Sequence, residues 1–392
     1  MNIAEFLLPG MSKQNPVAKK AIAMHKKLNG KISVVSKVPV KTAKELGIYY
    51  TPGVGAVSSY LAQNKNQVRN FTIKRNTVAV VSDGSAVLGL GNIGPEGAMP
   101  VMEGKCQLFK SFADVDAFPI VLDTQDTEEI IATVKHISPV FGGINLEDIS
   151  APRCFEIERR LISELDIPVM HDDQHGTAVV VLAAMINALK VVKKSLKESK
   201  VVIVGAGAAG MATAKLLLLK GAEDVILVDS EAIICRQRKY TNEFKSEMAK
   251  NTNKRNISGP LEEAIKGADI LMGLSKAGLF KAEHIKSMAE NPIIFAMANP
   301  IPEIMPDEAL KAGAAIVATG RSDFANQINN VLGFPGIFRG ALDNNVKKIT
   351  PEMKLRVAEA LAALVKKPTR SNIMPSPFDK RVVKAVAKAI RN

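Results

Sequence analysis

The chain has 392 residues, of which 47% are apolar and 23% charged, and it carries a net charge of +13 at pH 7. That length accommodates two domains with cores of their own, and the composition is that of a globular protein. No apolar run reaches the ~20 residues that span a bilayer, so no membrane association is expected.

Nucleic acid is a poor match as a partner. The lysines are scattered singly or in pairs, and aromatic residues make up 5% with no Trp, too few for a base-stacking platform. A positive field that attracts small anions accounts for the charge equally well. Cys106, Cys154 and Cys235 are odd in number and widely spaced. They read as reduced core thiols of a cytoplasmic protein, not as a disulfide framework or a zinc–thiolate site. The first residues, MNIAEFLLPGMSKQNP, contain Glu5 and no basic leader, so no signal peptide is expected.

Residues 1–75 are lysine-rich, with helical and turn stretches. Four short apolar runs follow, each closed by acids: TVAVVSD (77–83), FPIVLD (118–123), VFGGINLED (140–148) and IPVMHDD (167–173). Such runs read as buried strands, and helical stretches such as 154–165 lie between them. Strand–helix alternation predicts a parallel α/β sheet. Ligands bind such sheets outside the carboxyl ends of the strands. Asp83, Asp123, Glu147, Asp148, Asp172 and Asp173 would all crowd that rim, and so many like charges call for a bound cation. Oxygen-only ligands favour Mg²⁺ or Mn²⁺ over zinc.

The stretch MHDDQHGTAVVV (170–181) opens a long helix expected over 175–193. One of its two acids can cap that helix while the other holds the cation. His171 and His175 read as supporting residues, since carboxylates already suit a hard ion.

A strand at 200–204 then runs into Gly205, Gly207 and Gly210, with Ala208 between them, and into a helix. A second strand (225–229) ends at Asp229, about 20 residues further on. This is a dinucleotide fingerprint in its full context: glycines for a tight turn and close approach to a pyrophosphate, and an acid for the ribose hydroxyls. Further strands are expected at 268–274, 291–298 and 314–319, and amphipathic helices at 351–366 and 378–390. The fold class is therefore α/β in two domains. Residues 1–172 form a catalytic, metal-binding domain with a parallel sheet. Residues 173–392 form a Rossmann-type doubly wound NAD(P)-binding domain, whose closing helices fold back on the first.

The motifs YTPGV, VSDGSAVLGLGNIGPEGAMPVMEGK, FGGINLEDI, HDDQHGTA, GAGAAG, ANPIPEIMP and GRSDFANQINNVLGFPGIFRGALD resemble those of the malic enzymes, in the short bacterial and archaeal form. The resemblance runs from about residue 30 to residue 365. It implies metal-dependent oxidative decarboxylation of L-malate to pyruvate and CO₂ with reduction of NAD or NADP, and a homodimer with the N-terminal segment as its interface. Residue by residue, it implies Glu147, Asp148 and Asp173 as metal ligands. Lys105 becomes the base, Asp172 the carboxylate that supports it, and Tyr50 the acid that protonates the enol. Asn299 and Asn330 lie near malate and the nicotinamide. Each also has a plainer reading, such as Tyr50 packing beside Tyr49, Lys105 as one solvated lysine among many, or Asn299 as a turn residue before Pro300.

A free lysine is deprotonated in only ~0.04% of molecules at pH 7, and lowering its pKa to ~7–8 takes roughly 4 kcal/mol. Desolvation and a nearby metal charge work in that direction, while Asp172 works against it. Two features depart from the larger relatives. The loop at 83–89 reads DGSAVLG, without the arginine that grips a substrate carboxylate there, so that task falls to Ser85, backbone amides, the metal and the asparagines. Asp229 is followed by Ser230-Glu231-Ala232. Asp229 favours NAD by repelling a 2′-phosphate, while Arg236, Arg238 and Lys239 leave NADP open. The rivals are a non-decarboxylating dehydrogenase of a hydroxy or amino acid, which needs no three-carboxylate metal site, and a basic nucleic-acid-binding protein.

Overall fold

The computed structural model describes residues 16–87 and 89–391. The reading of residues 1–15 as leader-free, and Leu88 of the glycine-rich loop, lie outside the described residues.

Among the described residues four α-helices come first: α1 (Pro16–Leu28), α2 (Ala43–Tyr49), α3 (Gly53–Gln63) and α4 (Val68–Phe71). A Thr42/Glu45 capping box starts α2, with the Thr42 hydroxyl accepting from Glu45 N and Glu45 accepting from Thr42 N. Neither α2 nor α3 contains a buried residue.

The first sheet is built from β1 (Thr77–Ser82), β2 (Asp116–Val121), β3 (Gly143–Leu146) and β4 (Val169–His171). Helices α5 (Gly94–Ala113), α6 (Thr127–Ile137) and α7 (Arg153–Glu164) connect them. The order is β2-β1-β3-β4, with every pair parallel. Val78, Ala79, Val80 and Val81 of β1 are fully buried, as a central parallel strand requires.

Helix α8 (Asp172–Val192) leads to the second sheet, formed by β5 (Lys200–Val204), β6 (Asp224–Val228), β7 (Ile270–Gly273), β8 (Ile293–Ala296) and β9 (Ile316–Thr319). Between them run α9 (Ala208–Leu219), α10 (Glu243–Asn251), α11 (Leu261–Ile265), α12 (Ala282–Lys286) and α13 (Pro306–Lys311). The order β6-β5-β7-β8-β9 is again parallel throughout, so this domain is a Rossmann-type doubly wound unit. Three helices close the chain: α14 (Phe334–Asp343), α15 (Pro351–Ala363) and α16 (Arg381–Ala389).

Helix α8 is long and apolar enough to cross a membrane by length and composition alone, although polar residues interrupt its apolar run. Its apolar residues are spent instead on the interior, from Val179 to Ala184. One continuous core joins both sheets through it. The buried Asn187 side chain donates to Ala362 O and Ile373 O, fixing the closing segment to α8. Helix α14 returns to the first sheet, where Phe334 and Phe338 pack edge-on against Phe109 of α5.

Each sheet has one place where the strand order reverses, between β1 and β3 in the first and between β5 and β7 in the second. The loops leaving those four strands face a single cleft, the expected ligand position for both sheets at once.

Candidate active site

The cleft has a volume of about 340 Å³. The first sheet brings Ala86 from the loop after β1, Glu147 and Asp148 after β3, and Asp173 from the first turn of α8. The second brings Ala209 at the start of α9, Ser275 after β7 and Asn299 after β8. Asn330 comes from the turn before α14, and Lys105 reaches in from the middle of α5.

Oxygens of Glu147, Asp148 and Asp173 lie within 4.8 Å of one another. Asp148 adopts a left-handed backbone (φ 53°), a conformation that Asp tolerates better than most residues. Its amide donates to Asp173 Oδ2 at 2.8 Å, which ties the two loops together. Asn145 Nδ2 donates to Glu147 Oε2 at 3.0 Å and orients that carboxylate. Burial, reinforced by the surrounding acids against the pull of Lys105, holds the Glu147 carboxyl well above the usual carboxylate range. An oxygen-only set with two buried members and this mutual repulsion fits a hard divalent cation such as Mg²⁺ or Mn²⁺.

Lys105 Nζ pairs with Asp172 Oδ2, stands 3.1 Å from Glu147 Oε1, and lies 4.1 Å from the centre of the Phe334 ring. Asn330 Nδ2 donates to the same Asp172 oxygen at 2.5 Å. Gly176 makes this possible, because a Cβ there would sit 1.9 Å from Asp172 Oδ1. Burial on its own would lower the Lys105 pKa, but Asp172 and then Glu147 outweigh it, leaving the amine above its ordinary value. The upward pull of Asp172 is the one expected, and Glu147 adds to it. Two carboxylates in contact with one buried ammonium explain it.

Several expectations need correction. Neither Asp172 nor Asp173 caps α8; His171 occupies the N-cap without a side-chain cap bond, and both acids lie inside the first turn. The acids do not all share the rim. Asp83 Oδ2 is taken by Arg153 at 2.9 Å, and Asp123 is exposed beyond the edge strand β2. The Ser85 hydroxyl donates to Asp83 Oδ1 and accepts from Ser150 N, so it pins its own loop and does not line the cleft. Tyr50 is a separate case: it ends α2 with 66% of its surface exposed, away from the cleft wall of its own chain.

The glycine fingerprint divides its work as such turns do. Gly205 has φ 116°, and a Cβ on it would meet Leu274 O at 2.4 Å; a Cβ on Gly210 would meet Gly205 O at 1.8 Å. Gly207 faces open space, with nothing within 4 Å of a Cβ built there, which leaves room for a pyrophosphate at the N-terminus of α9. Asp229 follows β6 and is held by Arg238 and by Lys245 Nζ at 2.7 Å. These partners keep its carboxyl far below the usual range despite partial burial.

A carboxylate triad that could hold a cation lies opposite the dinucleotide turn, and sequence comparison decides between the rivals. Residues 29–162 match the malic enzyme N-terminal domain, and residues 174–391 match the malic enzyme NAD binding domain. The chain belongs to the malic enzyme family. It is 56% identical over 376 residues to the NAD-dependent malic enzyme of Geobacillus stearothermophilus, spanning 95% of this chain and 78% of that one. It is 54% identical over 373 residues to the bifunctional malic/malolactic enzyme of Bacillus subtilis, spanning 94% and 91%. The crystal structure of the NAD-dependent malic enzyme of Thermotoga maritima superposes with a TM-score of 0.92 at 50% identity, covering 95% of this chain and 99% of that one.

This member of the malic enzyme family also uses residues that its sequence did not advertise. Glu158, 5% exposed on the inner face of α7, accepts from His171 N at 2.8 Å, from Gln174 Nε2 at 3.1 Å and from His175 Nε2 at 3.0 Å. Burial would raise its pKa, but His175 first, then Lys354 and His171, bring it down to about 2, so it anchors the start of α8 as a carboxylate. An acid between Phe155 and Leu161 on an apolar helix face was the available signal. Glu303 is fully buried and accepts from Ser275 N and Ala298 N, both at 3.0 Å, which fixes two walls of the cleft. Gly320 leaves space for Asn299, whose Nδ2 would lie 2.7 Å from a Cβ there.

Proposed function

We propose that the chain catalyses the oxidative decarboxylation of L-malate to pyruvate and CO₂, with NAD as the preferred hydride acceptor and NADP also accepted. The observation that carries this reading is the convergence of the Glu147/Asp148/Asp173 triad and the Lys105–Asp172–Asn330 network on one cleft beside Ala209 and Asn299. Simple hydride transfer needs no such triad.

A divalent cation held by Glu147, Asp148 and Asp173 would act as a Lewis acid on the C2 oxygen and C1 carboxylate of malate. Lys105 first passes a proton to the buried Asp172 carboxylate across their direct contact, and the neutral amine then takes the proton of the C2 hydroxyl. Asn330 holds Asp172 in the orientation that this exchange needs. Asn299 borders the substrate and the nicotinamide, and Gly205, Gly207, Ala208 and Gly210 carry the pyrophosphate. Asp229 bonds the ribose hydroxyls, which supports NAD. Its pairing with Arg238 and Lys245 softens the repulsion of a 2′-phosphate, which supports acceptance of NADP.

The working form is a homodimer. Leu46, Ile48, Tyr49, Val54, Val57 and Tyr60 are all exposed on α2 and α3, two helices that need a further surface to bury them. Tyr50 protonates the enol, and its exposure on this same face supports action in the active site of the second copy. The domain boundary falls near residue 173, where β4 hands over to α8.

Asp173→Asn tests the reading. Mn²⁺-dependent turnover should disappear while NAD binding stays nearly intact. Turnover retained at saturating Mn²⁺ would remove the triad from the mechanism.

A further inference from the structure

A second cavity, of about 260 Å³, lies apart from the cleft and shares no lining residue with it. It forms where α4 and the turn before β1 meet the C-terminal half of α14. Its walls include Asn66, Arg69, Asn70, Arg75, Arg339 and Asp343. Three guanidinium groups thus share one concavity with a single carboxylate.

Two of the three are anchored by the fold. Arg69 Nη2 donates to Leu342 O at 2.9 Å. Arg339 donates from Nη1 to Asn76 Oδ1 at 2.5 Å and from Nη2 to Asp343 Oδ1 at 2.6 Å, while its Nε is buried with no hydrogen-bond partner among the described residues. Burial, then the charges of Arg75 and Arg339, pull the Arg69 pKa below the ordinary guanidinium value. Like charges have therefore been brought together against their mutual repulsion.

We propose that this cavity is a binding site for a small multivalent oxyanion. Guanidinium groups bind carboxylate and phosphate oxygens in the same bidentate fashion, and the three carboxamides at the rim (Asn66, Asn70 and Asn345) donate to either. With a water taking up about 30 Å³, the space exceeds that of one phosphate and suits a compound with two or more acidic groups. The site is carried by the same helix, α14, whose other end sets Phe334 against Lys105.

Isothermal titration calorimetry on the full chain, metal-free, with inorganic phosphate and with tricarballylate as probes, tests the proposal. The wild type should bind at least one probe saturably, and the stronger of the two identifies a phosphate or a polycarboxylate as the natural chemistry. Arg75→Gln should weaken that binding about tenfold or more, with malate turnover in the absence of probe unchanged. Asn70→Asp, which adds a negative charge at the rim, should weaken it as well and serves if Arg75→Gln does not fold. Absence of saturable binding to either probe, or wild-type affinity in both variants, overturns the proposal.

Discussion

Lys105 Nζ and Glu147 Oε1 stand 3.1 Å apart, so the proposed base is ion-paired to a proposed metal ligand. The two functions of the site share one electrostatic balance, in which a single ammonium offsets Glu147 and Asp172 together. Lys105→Ala removes the proton acceptor and also a cation that competes for Glu147. Turnover should fall by about 10²–10⁴-fold, the usual weight of general acid–base catalysis. Mn²⁺ should bind at least as tightly as in the wild type. Steady-state kinetics and a Mn²⁺ titration read the two effects separately, and turnover within tenfold of wild type would exclude Lys105 as the base.

Tyr50 and Lys105 supply a test of the dimer. When a Tyr50→Phe chain and a Lys105→Ala chain are mixed, each inactive alone, a mixed dimer regains one intact site only if Tyr50 serves the partner. Random reassociation then restores about a quarter of wild-type activity, since half the dimers are mixed and each has one good site. No recovery in a sample shown to contain mixed dimers would mean that Tyr50 works within its own chain or does not take part.

Lys354, on α15, is 8% exposed, and burial brings its pKa down to about 8 even though Glu158 attracts the charge. Unfolded, it keeps its proton to about pH 10.4. Between these two values the unfolded chain binds more protons than the folded one, so stability rises with pH across that window and is lowest below it. The penalty at neutral pH is on the order of 3 kcal/mol. Lys354→Met should raise the urea midpoint at pH 7 and flatten its rise between pH 8 and pH 10. An unchanged midpoint and slope would show that the folded protein accommodates the charge freely.

Much of the fold was legible because its strands are parallel and buried on both faces. Runs such as KVVIV at β5 and TVAVVS at β1 admit little else once helices separate them. The acids after β3 were legible for a related reason: polar groups that follow a buried strand mark its exit into the ligand cleft. The start of β2 was set too late, at Phe118, since Asp116 enters the sheet by pairing with Thr77, a register that no local pattern encodes. Helix α14 was not singled out either, although its apolar face later proved to cover α5.

Long-range partnerships were the least legible part of the site. Asp172 and Asn330 meet across 158 residues, and nothing near either one announces the contact. Asp83 read as a rim acid because its partner Arg153 lies on a separate helix. The contact of Lys105 with Glu147, which adds to the pull of Asp172 on the ammonium, is likewise a fact of packing that spacing could not weigh.

In the proposed mechanism one cleft performs both hydride transfer and decarboxylation, and the carboxylate triad there would hold the metal that both steps need. The most direct test incubates the chain with L-malate, Mn²⁺ and either NAD or NADP, and measures reduced coenzyme and pyruvate in the same tube. Equal amounts of the two products, faster turnover with NAD, and complete loss on adding EDTA are expected. Reduced coenzyme accompanied by oxaloacetate and no pyruvate, or turnover that survives EDTA, would contradict that mechanism.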